Sequence, residues 1–210
     1  MEIKKDGLKE IILSISDAIM DKVDYLTELD AKIGDGDHGV NMAKGFARIK
    51  EDLKGYDGND IGEILILSGK VLLNEIGGAL GPLYGGGLIK AGIALKGKEM
   101  LQKKDIYTLF STLLSSVKEL GKAKVGDKTM VDTLEPFVDE YGKKINTDNV
   151  KVSFGAALLK AKEGMESTKG MVSRIGRSSR LLERSKGHLD VGAASSYLIL
   201  KTFYNSIINT

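Results

Sequence analysis

Leu29-Asp30-Ala31-Lys32-Ile33-Gly34-Asp35-Gly36-Asp37-His38-Gly39-Val40-Asn41 is the stretch on which the fold turns. Its segment from Gly34 to Gly39 spells G-x-G-x-x-G, the fingerprint of a dinucleotide-binding α/β fold. That fingerprint works after a strand, with bare backbone against pyrophosphate. Here Leu8, Ile11, Ile12, Ile15, Ala18, Ile19 and Val23 recur at i, i+3, i+4, which predicts a helix near 5–25 ahead of the loop. Asp35 and Asp37 would also repel an anion not shielded by metal. The EF-hand pattern fails as well, because it needs a third alternating oxygen ligand and a later glutamate. The α/β reading is therefore rejected.

Working outward, the helical period persists. Val40 to Leu53, Ile61 to Leu72 (with Asn59 or Asp60 as N-cap), Leu83 to Leu95, Ile106 to Leu120 (with Gly121 as its stop), Met130 to Tyr141, Val150 to Met165 and Ala193 to Ile208 complete the set. No run alternates with period 2, so no sheet is expected. The fold class is all-α: a barrel or bundle of about eight antiparallel helices, read as one domain over 1–210. Glycine is abundant, 26 of 210 residues, and bunched. In the helix from Leu83 to Leu95 it implies close packing.

Composition narrows the function. With no cysteine, disulfides, thiolate nucleophiles, zinc–thiolate sites and iron–sulfur clusters are all excluded. The formal net charge of +2 gives no case for nucleic acid. Neither a signal peptide nor an apolar run of membrane-helix length is visible, so no membrane association and a cytoplasmic location are expected.

Four connections are unusual: Thr27–His38, Gly77–Gly81, Lys122–Thr129 and Gly170–Gly192. They follow the first, third, fifth and seventh helices, and alternate loops of an up-down array fall at one end. The first offers Asp30, Asp35 and Asp37, whose mutual repulsion a hard divalent cation removes; a solvated turn with Asp37 as N-cap is the plainer alternative. The second, Gly77-Gly78-Ala79-Leu80-Gly81-Pro82, opens a helix whose free N–H groups suit an anion, or else serves a close helix crossing. The third, Gly126-Asp127-Lys128-Thr129, nearly spells a P-loop, but an aspartate interrupts it and no strand precedes it; Asp127 or Thr129 reads as a cap. The fourth holds Arg174, Arg177, Arg180 and Arg184 among hydroxyls and glycines, suited to phosphates or to an acidic partner. Together they are the equipment of a Mg-nucleotide site.

These motifs, with Gly81-Pro82-Leu83-Tyr84-Gly85, Gly176-Arg177-Ser178-Ser179, Glu183-Arg184-Ser185 and Gly187-His188-Leu189-Asp190, closely resemble the L subunits of bacterial dihydroxyacetone kinases, in order over essentially the whole chain. The resemblance implies Asp30, Asp35 and Asp37 as Mg2+ ligands for a pair of ions. It implies His38, Asn41, Gly78, Ala79, Gly121, Met130, Arg177, Asp190 and Gly192 on or beside the ADP/ATP contacts. It further implies two partners: a K subunit that binds dihydroxyacetone covalently, and a multiphosphoryl M subunit whose phosphohistidine recharges bound ADP. The stand-alone length favours this phosphotransferase-dependent version over fused ATP-dependent kinases, and over fatty-acid kinases with a related N-terminal domain. A divergent nucleotide-binding regulatory module without kinase activity is the alternative. Four positions depart from the pattern: Leu80 stands where a small, often hydroxylated residue is expected, Val191 where proline is usual, and Gly86-Gly87 where bulkier residues are common.

Overall fold

The computed structural model describes residues 2–209. Among them run α1 (Lys5–Asp21), α2 (Val23–Ile33), α3 (His38–Lys54), α4 (Ile61–Glu75), α5 (Gly86–Ala94), α6 (Lys103–Gly121), α7 (Val131–Lys144), α8 (Val150–Ser167) and α9 (Val191–Ile208). A π-helical turn, Gly81–Gly85, leads into α5, and short 3-10 turns cover Thr168–Gly170 and Arg177–Ser185.

Packing follows chain order and closes on itself. α1 packs on α3, then each helix packs on the next as far as α9, and α9 returns to α1. Eight helices thus form the staves of a barrel, and α2 lies outside the ring against α3 and α9. Each stave turns one stripe inward, as its 3.6-residue period requires. One end of the interior is filled by Phe110, Phe137, Phe154 and Phe203, with ring centroids 4.8–5.8 Å apart where they meet.

Local chemistry accounts for the element ends. Asp60 caps α4, accepting from the N–H groups of Gly62 (2.7 Å) and Glu63 (3.4 Å). Asn149 caps α8 through Val152 N–H at 3.0 Å. Gln102 and Asp105 form a reciprocal capping box at the start of α6. The tight α4–α5 contact uses two glycine pairs: a Cβ on Gly62 would sit 2.4 Å from the Gly92 carbonyl oxygen, and one on Gly85 would sit 2.6 Å from that of Gly69. The glycine-rich fourth helix is therefore closely packed, as expected.

Four expectations need correction. The first helix breaks at Lys22, and its continuation α2 runs on to Ile33, so Asp30 stands on a helix and the loop begins only at Gly34. Gly121 is the last residue of α6, and it is Lys122 that takes the left-handed turn (φ 53°). A two-residue antiparallel pair, β1 (Ile3–Lys4) with β2 (Met100–Leu101), joins the start of α1 to the start of α6; it is too short to leave an alternation in the sequence. Asp127 caps no helix: its carboxylate accepts from Lys124 N–H at 2.9 Å within its own turn. Thr129 Oγ1 does meet Val131 N–H at 3.2 Å, while Asp132 takes the N–H groups of Gly126 and Thr129 at 2.6 and 2.8 Å.

Candidate functional site

The four unusual connections meet at one end of the barrel, around a cavity of about 530 Å³. Asp30, Asp35, Asp37, His38, Gly78, Ala79, Gly121, Met130, Arg177, Asp190 and Gly192 all line it. Asn41 does not; it is half-buried one turn into α3, where its N–H bonds the Asp37 carbonyl at 3.0 Å.

Helix α2 presents Asp30 nearly buried, and its Oδ2 accepts from the N–H groups of Asp37 (3.0 Å) and His38 (3.3 Å). Asp30 therefore satisfies the first turn of α3, the task that the sequence suggested for Asp37. The Asp37 side chain makes no cap bond and is free to face the cavity. Gly36 supplies the positive φ (74°) that brings Asp35 and Asp37 round to Asp30. A Cβ on Gly34 would lie 2.0 Å from Asp30 Oδ1, so the loop closes only around glycine. The three carboxylates each offer an oxygen within 4.8 Å of the others. Such a set of hard oxygens suits a hard divalent cation. Arg177 reaches the same group: its Nη1 contacts Asp35 Oδ2 and lies 3.6 Å from Asp37 Oδ2.

Opposite the carboxylates lies the start of the π turn. Nothing lies within 4 Å of a Cβ built on Gly77, and beside Gly78 only the Arg177 guanidinium approaches, at 3.7 Å. Gly77 and Gly78 therefore leave space rather than fill a helix crossing. Backbone N–H groups of a first turn have no intrahelical acceptor, so this lip offers donors beside an arginine fork. Ile33, Leu80, Leu83, Val117, Leu120 and Ile175 supply apolar wall.

Behind His38 lies a buried polar layer. His38 Nε2 lies 3.0 Å from Ser195 Oγ, which lies 2.8 Å from the Tyr84 hydroxyl, itself 2.9 Å from Ser196 Oγ. Burial lowers the His38 pKa to about 4 and raises that of Tyr84 to about 12. Asp190 caps α9 by accepting from Ala193 N–H at 2.7 Å. Burial pushes its pKa up to about 7, against the opposing pull of that N–H and of Lys128.

Sequence reasoning missed four residues of this end of the barrel. Ser195 and Ser196 were covered only by the periodicity of their helix, although adjacent serines on an otherwise apolar helix are a usable signal. Tyr84 was quoted within a motif and given no task. Lys128 was dismissed with the failed P-loop; it is fully buried, its side chain turned away from solvent.

Comparison with known proteins accords with this geometry. Residues 32–205 match the DAK2 domain family. The chain is 37% identical over 202 residues to the ADP-binding subunit DhaL of the PEP-dependent dihydroxyacetone kinase of Escherichia coli, covering 96% of each. It is 34% identical to the corresponding subunit of the PTS-dependent kinase of Lactococcus lactis, covering 94% of this chain and 95% of that one. The crystal structure of the C. freundii dihydroxyacetone kinase in complex with AMP-PNP and Mg2+ superposes with a TM-score of 0.73 at 25% identity, covering 94% of this chain and 33% of that longer one. No helix among the described residues is long and apolar enough to cross a membrane. An all-α barrel of this order, carrying these motifs over nearly its full length, belongs to the DAK2 domain family.

Proposed function

We propose that this chain, as one domain over 1–210, is the nucleotide-holding subunit of a cytoplasmic, phosphotransferase-dependent dihydroxyacetone kinase. Its ADP is a resident coenzyme, recharged to ATP by a phosphohistidine of an M subunit, and the phosphoryl group passes to dihydroxyacetone held by a K subunit. One observation carries the reading: three carboxylates, an arginine fork and an open helix N-terminus converge on a single cavity. The subunit names of the relatives agree with it.

The residues divide the work. Asp30, Asp35 and Asp37 offer hard oxygens that would hold Mg2+, as a pair of ions, and the Gly34 backbone leaves room for the Asp30 carboxylate. Bound Mg2+ supplies neutralisation of phosphate charge and polarisation of the transferred group. Arg177 supplies a planar two-point donor for phosphate oxygens. Gly78 and Ala79 bring backbone close to the same oxygens, and the N-terminal dipole of that turn favours their charge. Gly121, Met130 and Gly192 form the side of the cavity where the apolar wall suits a base. His38 stays neutral near pH 7 because burial disfavours its cation, so it adds a polar contact without adding charge.

Both histidines lack the setting of a covalent substrate anchor: His38 is turned to Ser195, and His188 lies on the long loop. The isolated chain is therefore expected not to phosphorylate dihydroxyacetone from ATP. The test is to release nucleotide from the purified chain and identify it by mass spectrometry, then add phosphorylated M and finally K with dihydroxyacetone. ADP retained, charged by M and discharged only with K supports the reading. Failure to bind Mg-ADP, or robust turnover by this chain alone, overturns it. Binding without charging by M identifies instead the regulatory module, the alternative that Leu80 and Val191 in the cavity wall keep in view.

A further inference from the structure

Lys128 is a motif residue that the nucleotide reading leaves without a task. It is wholly buried and adopts a left-handed backbone (φ 62°), which a side chain enters at a cost. Its Nζ donates to the carbonyl oxygens of Thr168 and His188, each at 2.5 Å. Those carbonyls stand at the two ends of the long arginine-bearing loop. The neighbouring bonds have the same effect: Arg174 N–H reaches the Asp127 carbonyl at 3.1 Å, Asp190 N–H reaches Thr168 Oγ1 at 3.1 Å, and Gly187 N–H reaches the Lys169 carbonyl at 2.7 Å. A buried ammonium keeps its charge only where acceptors replace water. Two carbonyl dipoles do that here, aided by the nearby charges of Asp190 and Asp132 against the burial that lowers its pKa.

We infer that Lys128 is a positioning residue: it pins both ends of the 168–188 loop together and thereby fixes Arg177 over the carboxylates. The inference rests on the nucleotide role proposed for Arg177. Entropy supplies the physical reason, since a loop of this length closes at a cost and an unpinned Arg177 would pay for ordering on each binding event.

The test is a double-mutant cycle on Mg-ADP affinity, measured by calorimetry, with Lys128→Met and Arg177→Lys, together with hydrogen exchange at the amides of Arg174 and Gly187. Lys128→Met is expected to weaken binding roughly tenfold and to speed exchange at both amides. The double variant is expected to bind about as weakly as the weaker single, because coupled residues do not add. If Lys128→Met destabilises the whole chain, Lys128→Gly removes the same side chain while relieving the left-handed backbone, and it is expected to loosen the loop with a smaller loss of melting temperature. Strict additivity, or unchanged exchange at both amides, overturns the inference while leaving the role of Arg177 intact. An Arg177→Lys protein with wild-type affinity shows instead that the reading of Arg177 has failed, and the inference falls with it.

Discussion

Asp30, on α2, caps the helix that Asp37 introduces. Its Oδ2 lies 3.0 Å from Asp37 N–H, with His38 N–H at 3.3 Å. The three acidic residues are therefore not equivalent. Asp30 is part of the fold as well as of the site, whereas Asp35 and Asp37 are about half exposed and belong to the site alone.

Replacing Asp30 by Ala should therefore cost about 1–2 kcal/mol of stability without ligand, the usual loss for a helix cap, in addition to weakening Mg-nucleotide binding. Asp35→Ala and Asp37→Ala should weaken binding comparably with little change in apo stability. Urea unfolding and calorimetry on the three variants decide it. Equal stability of all three would show that the cap bonds carry no weight.

Gly34→Ala isolates the carboxylate from the cap. The new methyl would fall 2.0 Å from Asp30 Oδ1, so the side chain or the loop must move. Binding of Mn2+, followed by electron paramagnetic resonance as a stand-in for Mg2+, should fall at least tenfold while the far-ultraviolet circular dichroism stays unchanged. Wild-type Mn2+ affinity would mean that the loop has more slack than this geometry allows.

Arg177→Lys keeps the charge near Asp35 and loses the planar fork. Because the Arg177 side chain is 56% exposed, its ion pair contributes little to stability. The melting temperature of the apo chain should stay within about 2 °C while ADP retention and coupled turnover decline. A clear drop in melting temperature with unchanged retention would make the residue a structural one.

Asp190 sets a pH dependence whose sign can be worked out. Burial raises its pKa to about 7 in the fold, well above the ordinary carboxylate range near 4. As pH rises from about 4 to 7, the unfolded chain releases this proton while the fold retains it, so this group's contribution to stability is complete below that window and lost across it. Asp190→Asn keeps an oxygen for Ala193 N–H and removes the titration. The stability of the variant relative to wild type should therefore rise between pH 5 and pH 7.5, by about 2.5 kcal/mol at 1.36 kcal/mol per pKa unit. A pH-independent difference would place the ionisation of Asp190 elsewhere.

Much of this was legible before any coordinates. Helix spans followed from the 3.6-residue period, Asp60 was visible as a cap, and the order of the unusual loops placed them at one end. What escaped has physical causes. The apolar stripe continues past Lys22 through Leu26, Leu29 and Ile33, so the helical extension that carries Asp30 was legible in the period, and only the break at Lys22 left no mark there. The inward turn of Lys128 depends on carbonyls forty and sixty residues away, which no local pattern encodes. The task of Tyr84 depends on serines more than a hundred residues later. Tertiary partners, not propensity, decided the last two.

The small sheet at the start of the chain has a practical side. Ile3 and Lys4 pair with Leu101 and Met100, and Lys9 Nζ reaches the Tyr56 carbonyl at 2.7 Å, so the beginning of the chain is held at the end of the barrel where α3 finishes and α6 begins. The cavity lies where α3 begins and α6 finishes, and at 1.5 Å per residue the 19 residues of α6 separate the two by about 28 Å. A sensor surface or dye attached ahead of Ile3 would thus leave the opposite rim clear for a large protein to dock, and its signal would report arrival of that protein rather than obstruction by the tether.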